Sequence, residues 1–327
     1  MQKRKIVFRA DGGNLIGMGH FTRTLALAEM LSDQFECIFA IQNPSPVQIE
    51  EIERVCDSFI DLPLGKSHFN NFLDTLTGEE IVVLDNYFFD TEYQFSIKLK
   101  GCKLVCIDDL HDKFFKSDLI INHSPGIDVN DYLTNKKTKI LLGLDYVLLR
   151  SPFLKKAKLK INNIKNNTVF INFGGEDRLN ITLRVIKDMV KSKPNINAKI
   201  VLGYSNKNTE SIIDFISKTE SKIEVFTNRN ASQMAEIICS CDFAVVPSST
   251  VLFEVIACKI PFITGAYVDN QNLIAKSLNN NVFGIVLQDI INDNIPWDKI
   301  IKFEVSNKEV LIDGNSDIRL IKMFKEL

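Results

Sequence analysis

The chain of 327 residues lacks any apolar run of the ~20 residues that a membrane-spanning helix needs. It also lacks an excess of charge, since 39 Lys and Arg stand against 41 Asp and Glu and the net charge is −2. This balance gives no general attraction to nucleic acid or to an anionic membrane, so an anionic ligand must be bound by local groups. The apolar run near the N-terminus is too short for a signal peptide. We expect a cytoplasmic monomer that binds no nucleic acid and does not insert into a membrane.

Paired cysteines and the common catalytic motifs are missing too. The seven cysteines are odd in number, irregular in spacing and without a C-x-x-C pair. Reduced and mostly buried thiols are therefore expected, as in a cytoplasmic protein. The sequence has no G-x-S-x-G, P-loop or H-E-x-x-H motif, so none of the enzyme classes that these motifs define is indicated.

Histidine is scarce, with four residues in the chain. One of them, His111, ends the run Asp108-Asp109-Leu110-His111, and a D-D-x-H run suggests a metal site. No second cluster with ligand spacing accompanies it, so a solvated loop after a strand is the favoured alternative. His68 and His123 are interpreted as bystanders, and we expect neither a metal nor another cofactor.

Short β-rich runs alternate with helical patterns along the whole chain. Nearly continuous apolar strands such as IVVLD are typical of a parallel sheet covered on both faces. The pattern predicts two doubly wound α/β domains, residues 1–155 and 156–327, with the basic, Asn-rich stretch 154–167 as their linker. The predicted strands are 5–9, 36–41, 81–85, 103–108, 119–122, 168–175, 198–204, 223–226, 242–247 and 261–266. The predicted helices are 19–31, 46–55, 67–76, 91–100, 179–191, 208–218, 231–240, 249–258 and 270–280.

The first glycine-rich loop, DGGNLIGMGH, lies between a predicted strand and a predicted helix, where ligands bind in such sheets. Gly17 and Gly19 permit positive φ and a close approach of the backbone to a substrate. A dinucleotide fingerprint needs a third glycine where Thr22 stands, so an NAD(P)-dependent oxidoreductase is disfavoured. His20 lies at the helix N-terminus, which favours the neutral imidazole of a general base. A histidine that caps the helix or packs under the loop is the alternative.

Two charged residues flank this histidine. Arg23 lies one helical turn after His20, where it pairs with Asp11 or with an anionic substrate; a surface or domain-interface salt bridge is the alternative. Asp11 is a candidate for orienting His20 or a water molecule. An aspartate that only stabilises the turn is the alternative for Asp11.

The run R-A-D-x4-I-G-x-G-H-x-x-R-x-x-x-L-A, from Arg9 to Ala28, resembles the start of the PseG family. These proteins are UDP-2,4-diacetamido-2,4,6-trideoxy-β-L-altropyranose hydrolases of pseudaminic acid biosynthesis. Pro247-Ser248 departs from related glycosyltransferase-like proteins, which often carry two glycines there. Further segments resemble the family in order along the chain: Leu84-Asp85-Asn86-Tyr87, Ile107-Asp108-Asp109, Ile121-Asn122, the run from Gly143 to Arg150, the run from Phe173 to Asp177, Ser248-Ser249-Thr250 with Glu254 and Pro261, and Asn270-Gln271.

The resemblance implies a GT-B-like arrangement of two Rossmann-like domains across a cleft, with UDP bound mainly by the second. It implies metal-independent hydrolysis of the anomeric C–O bond with inversion, and His20 stands at the position of the catalytic histidine. Tyr87 and Asn270 contact the sugar if the resemblance holds. Arg150 is a candidate for the phosphates, and an interdomain ion pair is its alternative.

A diphosphate site is predicted in the second half of the chain. Ser248 or Ser249 is placed to cap the helix that runs to Cys258, whose first N–H groups, starting at Thr250, then face an anion. Gly174 and Gly175 end a strand and open another helix, which gives a second set of N–H donors. Ordinary capping of strand–turn–helix units is the alternative for both.

Within the same helix, Glu254 is a candidate to accept hydrogen bonds from the ribose hydroxyls, and a solvated glutamate is the alternative.

Three functions fit these observations. Hydrolysis of the UDP-sugar needs a base on one side of the anomeric carbon, and UDP is a good leaving group that does not need a strong general acid. A GT-B glycosyltransferase would use His20 to deprotonate an acceptor hydroxyl. A non-catalytic nucleotide-sugar-binding protein would keep the diphosphate site and have no need of His20.

Overall fold

The computed structural model describes residues 3–13, 17–159, 167–193, 195–203, 206–278, 284–303 and 311–327. The chain divides into two compact units. The first unit consists of Met1–Ser151 and Asn315–Leu327, and the second of Pro152–Gly314. The predicted boundary after residue 155 lies close to the observed one. The last residues, however, belong to the first unit and not to the second.

The first unit contains a seven-stranded parallel sheet in the order β3-β2-β1-β4-β5-β7-β9, and β6 pairs with β8 in a separate small sheet. Its strands are β1 Lys5–Ala10, β2 Glu36–Gln42, β3 Ser58–Leu62, β4 Ile81–Asp85, β5 Lys103–Ile107, β6 Phe114–Phe115, β7 Leu119–Asn122, β8 Leu133–Thr134 and β9 Lys139–Leu142. Its helices are α1 Gly19–Leu31, α2 Pro46–Val55, α3 Ser67–Asp74 and α4 Thr91–Leu99, with short 3-10 turns at Val129–Asp131 and Leu144–Tyr146.

The central strands of this sheet are buried on both faces, as their apolar sequences predict. Every residue of β4 is buried. Val7 and Leu84 point into a core on one face, together with Phe72 of α3. Because successive side chains alternate in a strand, Phe8 lies on the other face, where Phe39 packs between Phe8 and α1. The alternation also places Asp85 on the α1 face.

The second unit contains a six-stranded parallel sheet in the order β12-β11-β10-β13-β14-β15. Its strands are β10 Thr168–Ile171, β11 Asn197–Leu202, β12 Ile223–Thr227, β13 Phe243–Pro247, β14 Phe262–Gly265 and β15 Gly284–Val286. Its helices are α5 Ser151–Ala157, α6 Ile181–Ser192, α7 Thr209–Ser217, α8 Ala231–Cys239, α9 Thr250–Ala257, α10 Asn272–Ser277 and α11 Trp297–Ile301, with a 3-10 turn at Asp269–Gln271.

Two segments differ from the sequence-based expectations. The predicted linker 154–167 overlaps α5, whose Phe153 and Leu154 are buried, and residues 160–166 lie outside the described ranges. The last helix, α12 Ser316–Lys325, packs on the first unit. Its Phe324 is fully buried, and the ring lies edge-on to Phe35 at 6.3 Å between centroids.

Both sheets reverse their direction of strand order at the first strand. β1 lies between β2 and β4, and β10 lies between β11 and β13. In doubly wound sheets, ligands bind outside the carboxyl ends of the strands at such a switch point. The loops after β1, β4, β10 and β13 are therefore the places to look for a site in each unit. None of the helices in the described ranges combines the length and apolar character needed to cross a membrane.

Candidate active site

The glycine loop after β1 closes on itself before α1 begins. Gly13 and Gly17 form a two-residue antiparallel bridge, with N–O distances of 3.1 and 2.8 Å, around residues 14–16, which lie outside the described ranges. Gly17 has a φ of 75°, a conformation that favours glycine. At Gly12 a Cβ atom would stand 2.6 Å from Cβ of Phe21, so a side chain there would push α1 away.

His20, in the first turn of α1, forms a hydrogen bond with the residue that ends β4. Its Nδ1 lies 2.7 Å from Oδ1 of Asp85. Asp85 is fully buried, and its carboxylate also accepts a bond of 2.8 Å from the hydroxyl of Thr24. The side chains that meet here are 65 positions apart in the chain and are joined because β4 is the neighbour of β1.

Arg23 completes the hydrogen bonding of this carboxylate. Its Nε donates to Oδ2 of Asp85 at 2.7 Å and its Nη2 donates to Oδ1 at 2.6 Å, which is a bidentate pair. Its Nη1 donates at 3.0 Å to Oδ2 of Asp109, which follows β5. Burial would lower the pKa of Arg23, but the two carboxylates raise it well above its ordinary value. Arg23 therefore stays charged.

Asp85 is ionised in this environment. Burial alone would raise the pKa of its carboxyl group, but Arg23 and His20 outweigh burial and hold that pKa well below its usual range. An ionised carboxylate can only accept hydrogen bonds, so Nδ1 of His20 must donate to it. In a neutral His20 the proton is then on Nδ1, and Nε2 is the proton acceptor. Among the residues that the structure describes, none forms a hydrogen bond with Nε2.

Tyr87 packs beside this histidine. Its ring lies edge-on to the imidazole, with 4.6 Å between centroids, and the side chain is 36% exposed. Its hydroxyl donates to Oδ2 of Asp109 at 3.2 Å. The sequence-predicted residues His20, Arg23 and Tyr87 therefore lie together, at the carboxyl ends of β1, β4 and β5.

The expected role of Asp11 beside His20 is not what the structure shows. Asp11 forms a bidentate pair with the buried Arg9, at 2.6 and 2.8 Å, and accepts a bond from the backbone N–H of Gln42. Arg23 likewise pairs with Asp85 and not with Asp11. Asp11 stands nine positions before His20, whereas the residue that contacts the imidazole comes from a neighbouring strand. His20 itself is buried and pairs with Asp85.

In the second unit, the loop after β13 separates the two candidate serines. Ser248 is fully buried, its hydroxyl lies 3.0 Å from Oγ1 of Thr264, and its N–H donates to Gly265. Ser249 is the N-cap residue of α9, and its side chain makes no capping hydrogen bond. In the described ranges, the N–H groups of Thr250 and Val251 at the start of α9 donate to no acceptor. Ser249 and Thr250, and not Ser248, present polar groups at this edge.

The loop after β10 differs from the expectation of a glycine pair that opens a helix. Gly174 has a φ of 82°, and its N–H donates to Oδ1 of Asn172 at 3.0 Å. The next helix, α6, begins at Ile181, and the carboxylate of Asp177 accepts from the N–H groups of Ile181 and Thr182. The N-terminus of α6 is thus occupied by a carboxylate of this chain. Gly175 lies so close to the loop after β11 that a Cβ atom on Gly203 would come within 2.4 Å of its Cα.

Three other predicted residues have the following positions. Glu254 is buried inside α9, so the alternative of a solvated glutamate is wrong. Asn270 is exposed in the 3-10 turn that precedes α10. Arg150 is partly buried and directly precedes α5.

His111 lies in the loop after β5 with a φ of 45°. The backbone N–H of His111 donates to the carboxylate of Asp108, which also accepts from the hydroxyl of Tyr132. Burial, outweighing these bonds, raises the pKa of Asp108. Among the residues that the structure describes, no three His, Cys, Asp or Glu side chains form a group able to hold a metal ion.

The chain has the GT-B class of fold, as its similarity to solved structures shows. MurG from Acinetobacter baumannii has a TM-score of 0.63 at 11% identity, covering 99% of this chain and 100% of that one. At this identity the likeness concerns the fold alone. No protein-family model matches the chain.

The resemblance seen in the sequence is confirmed by two relatives. The UDP-2,4-diacetamido-2,4,6-trideoxy-beta-L-altropyranose hydrolase of Campylobacter jejuni is 26% identical over 280 residues, 84% of this chain and 96% of that protein. The pseudaminic acid cytidylyltransferase and UDP-2,4-diacetamido-2,4,6-trideoxy-beta-L-altropyranose hydrolase of Helicobacter pylori is 22% identical over 218 residues. The match covers 66% of this chain and 39% of the Helicobacter protein. The chain is thus similar to most of the first relative and to less than half of the second.

Proposed function

We propose that the chain hydrolyses UDP-2,4-diacetamido-2,4,6-trideoxy-β-L-altropyranose to UDP and the free sugar, a step of pseudaminic acid biosynthesis. The name of the Campylobacter relative states this activity for that protein, and the similarity covers most of both chains. We further propose that the enzyme acts as a cytoplasmic monomer and needs no metal or other cofactor.

One observation carries the proposal: the buried Asp85 carboxylate holds Nδ1 of His20 at 2.7 Å. This contact orients the imidazole and leaves Nε2 as the proton acceptor. It also stabilises the imidazolium that forms when Nε2 takes a proton, as a carboxylate does for the histidine of a hydrolytic triad. A histidine oriented in this way suits a general base that activates water.

In the proposed reaction, the oxygen of a water molecule attacks the anomeric carbon while Nε2 of His20 takes its proton. The bond between that carbon and the phosphate oxygen breaks, and UDP leaves with the electron pair. Attack from the side opposite the leaving group inverts the configuration. Because UDP is a good leaving group, the reaction does not need the second carboxyl group that acts as the acid in glycoside hydrolysis.

Substrate binding is proposed for residues at the carboxyl ends of both sheets. Gly17 and Gly19 let the sugar approach the loop after β1, while Tyr87 and Asn270 contact the sugar. For the UDP moiety, the open N–H groups at Thr250 and Val251 suit an anion, since they carry the positive end of the helix dipole. The remaining proposed contacts to substrate or UDP are Asp11, Arg23, Arg150, Gly174, Gly175, Ser248, Ser249 and Glu254.

The hydrogen bonds within the chain support some of these proposed contacts more than others. Arg23, Gly174 and Ser248 use polar atoms for bonds within the chain, so they support their neighbours more directly than they reach a ligand. Ser249 has a side chain without a capping bond and is the stronger candidate for phosphate.

The test is to incubate purified protein with the UDP-sugar, EDTA and no acceptor, and to follow the reaction by NMR. We expect UDP and free sugar to appear at equal rates, the sugar first as the anomer opposite to that of the substrate. UDP release only after addition of an acceptor alcohol would make the chain a glycosyltransferase. Saturable binding without any turnover would make it a nucleotide-sugar-binding protein. Either result overturns the proposal.

A further inference from the structure

The buried cluster around His20 contains one more negative charge than positive charge. Arg23 forms ion pairs with both Asp85, at 2.6 Å, and Asp109, at 3.0 Å. A guanidinium group carries a single positive charge. While His20 is neutral, the charge of one carboxylate is therefore not balanced within the cluster.

The surroundings of Asp109 leave this charge poorly compensated. Its side chain is 15% exposed, so water screens it little. Oδ2 accepts from Nη1 of Arg23 and from the hydroxyl of Tyr87. Oδ1 is buried, and no hydrogen bond to it is found within the described parts of the chain. An ionised carboxylate with a buried oxygen that accepts no hydrogen bond raises the free energy of the folded protein unless a positive charge forms nearby.

Arg23 transmits the effect of Asp109 to His20. Nη2 of Arg23 lies 3.2 Å from Nδ1 of His20, a contact that by itself repels an imidazolium. Asp85 neutralises the guanidinium on one edge, and Asp109 binds its remaining nitrogen, Nη1. With both carboxylates present, the guanidinium and the imidazolium are each matched by one negative charge.

We propose that Asp109 is a positioning residue that strengthens His20 as a base, because it supplies the charge that balances the imidazolium formed in the reaction. Preorganised charge of this kind favours the state in which charge develops. The mechanistic part of this inference rests on the proposed hydrolysis. The electrostatic part concerns His20 alone and is measurable without substrate.

Asp109 also holds the ring that packs on the imidazole. The hydroxyl of Tyr87 is bound to Oδ2 of Asp109, and the Tyr87 ring lies 4.6 Å from that of His20. A substitution at Asp109 therefore changes both a charge and a contact. The two effects are separable, because removal of the Tyr87 hydroxyl breaks the contact and leaves the charge.

Five ionisable groups bear on the protonation of His20. Asp85 comes from β4, Arg23 from α1, Tyr87 from the loop after β4 and Asp109 from the end of β5. The fifth, His123, lies near Arg23 at the end of β7. Burial and the charge of Arg23 lower its pKa to about 3, so His123 stays neutral at the pH values of the test.

The test uses Asp109→Asn, which removes the charge and weakens the acceptor of the Tyr87 hydroxyl, while the amide oxygen still accepts from Arg23. We expect the acidic limb of the kcat–pH profile to move to lower pH by about half a pH unit or more, and kcat on the plateau to fall roughly three- to tenfold. KM should change less than about twofold, since the substitution does not alter contacts that bind the substrate equally in the ground state and the transition state. In NMR titrations of the histidine rings, the His20 signal, identified by its absence in His20→Ala, should move its midpoint in the same direction.

Two variants serve as controls. Tyr87→Phe removes the contact to Asp109 and keeps the charge, so its acidic limb should coincide with that of the wild type. Asp112→Asn removes a charge of equal sign from an exposed side chain on the same loop. It should leave both the acidic limb of the kcat–pH profile and the plateau kcat unchanged.

Three outcomes would overturn the inference. The first is an Asp109→Asn variant with an unmoved His20 titration. The second is a Tyr87→Phe variant with the same shift as Asp109→Asn, which would reduce Asp109 to a support for Tyr87. The third is an equal shift in Asp112→Asn. If the wild type releases no UDP, the proposed function fails, and the NMR titration still decides the role of Asp109.

Discussion

The two units share the strand order around their first strand, yet the carboxyl edges of their sheets carry different chemistry. In the first unit, β4 ends in Asp85, which is ionised and bound to Arg23 and His20. In the second unit, the corresponding strand β13 ends in Pro247, and the next residue, Ser248, makes a neutral hydrogen bond to Thr264. The topology therefore determines where a site forms. The residue that ends the fourth strand determines whether that site can move a proton.

Within the second unit, the N-termini of α6 and α9 also differ in their hydrogen bonding. The carboxylate of Asp177 accepts hydrogen bonds from the first N–H groups of α6. In the described ranges, the first N–H groups of α9 donate to no acceptor. In the second unit the open helix start thus follows the fourth strand and not the first. We expect proton transfer in the first unit and anion binding at α9 in the second, and the following changes test that division, from the largest effect to the smallest.

Removal of the base should have the largest effect. We expect His20→Ala to lower kcat by about 10²- to 10⁴-fold, the usual contribution of a general base, while the Kd for UDP stays the same. The measurement is a kcat determination by UDP release beside isothermal titration with UDP. The control is His111→Asn, because asparagine tolerates the positive φ of that position. Equal loss in both variants, or lost UDP affinity in His20→Ala, would remove the division of labour between the units.

The partner of the base should come next. Asp85→Asn should reduce kcat by about 10- to 10³-fold, because the amide neither fixes the tautomer of His20 nor balances the imidazolium. It should also lower the free energy of unfolding by about 3 kcal/mol, since the buried Arg23 loses a charged partner. Urea unfolding and kcat together measure the two effects. A variant that is destabilised but fully active would show that Asp85 serves only the fold.

Acid should weaken the first unit through the same residue. The folded-state pKa of Asp85 lies below the usual ~3.9, so the ionised group stabilises the fold above that pH. This contribution is lost as the pH falls through ~3.9 toward the folded-state pKa. We expect the difference in unfolding free energy between wild type and Asp85→Asn to narrow below pH ~4, by up to about 1.4 kcal/mol per pH unit. Urea titrations between pH 6 and pH 3 measure it. A constant difference over that range would contradict the ion pair.

The two serines of the second unit should give the smallest effects, and opposite ones. Ser248→Ala leaves the hydroxyl of Thr264 buried without its partner, which should cost about 1–2 kcal/mol of stability and change UDP affinity less than Ser249→Ala does. Ser249→Ala breaks no capping bond and should weaken UDP binding a few-fold with stability within ~0.5 kcal/mol. Thermal unfolding and titration with UDP measure both. A reversed pattern would place the phosphate contact at Ser248.

Most helices and strands were predictable because their signals are local. The predicted α1 and α2 agree with the observed Gly19–Leu31 and Pro46–Val55, and β4 and β7 agree as well. The strand β3 was missed because its side chains are half-exposed and it lies at the edge of the sheet. The short strands β6, β8, β9 and β15 were missed as well. The helix α12 was not predicted, and its residues were assigned to the second unit, because no local pattern tells which unit a segment packs on.

Only the part of the candidate site that follows β1 was predictable from the sequence. His20, Arg23 and the glycine loop follow one another in the sequence, but their partner Asp85 enters through the pairing of β4 with β1, in which Asp85 stands opposite Ala10. Because it is nearer in the sequence, Asp11, the residue after Ala10, was expected to be the partner of His20. The available signal was the carboxylate at the end of the apolar run IVVLD, since a charge buried there is costly unless a cation pairs with it.

The return of α12 to the first unit has a consequence for biosynthesis. During translation, Pro152–Gly314 leaves the ribosome before Asn315–Leu327, so the second unit is complete while the first still lacks a helix. Domains of a nascent chain generally fold in order from the N-terminus. Here the unit that carries His20 is the last to be finished, because α12, which packs against α1, is made last.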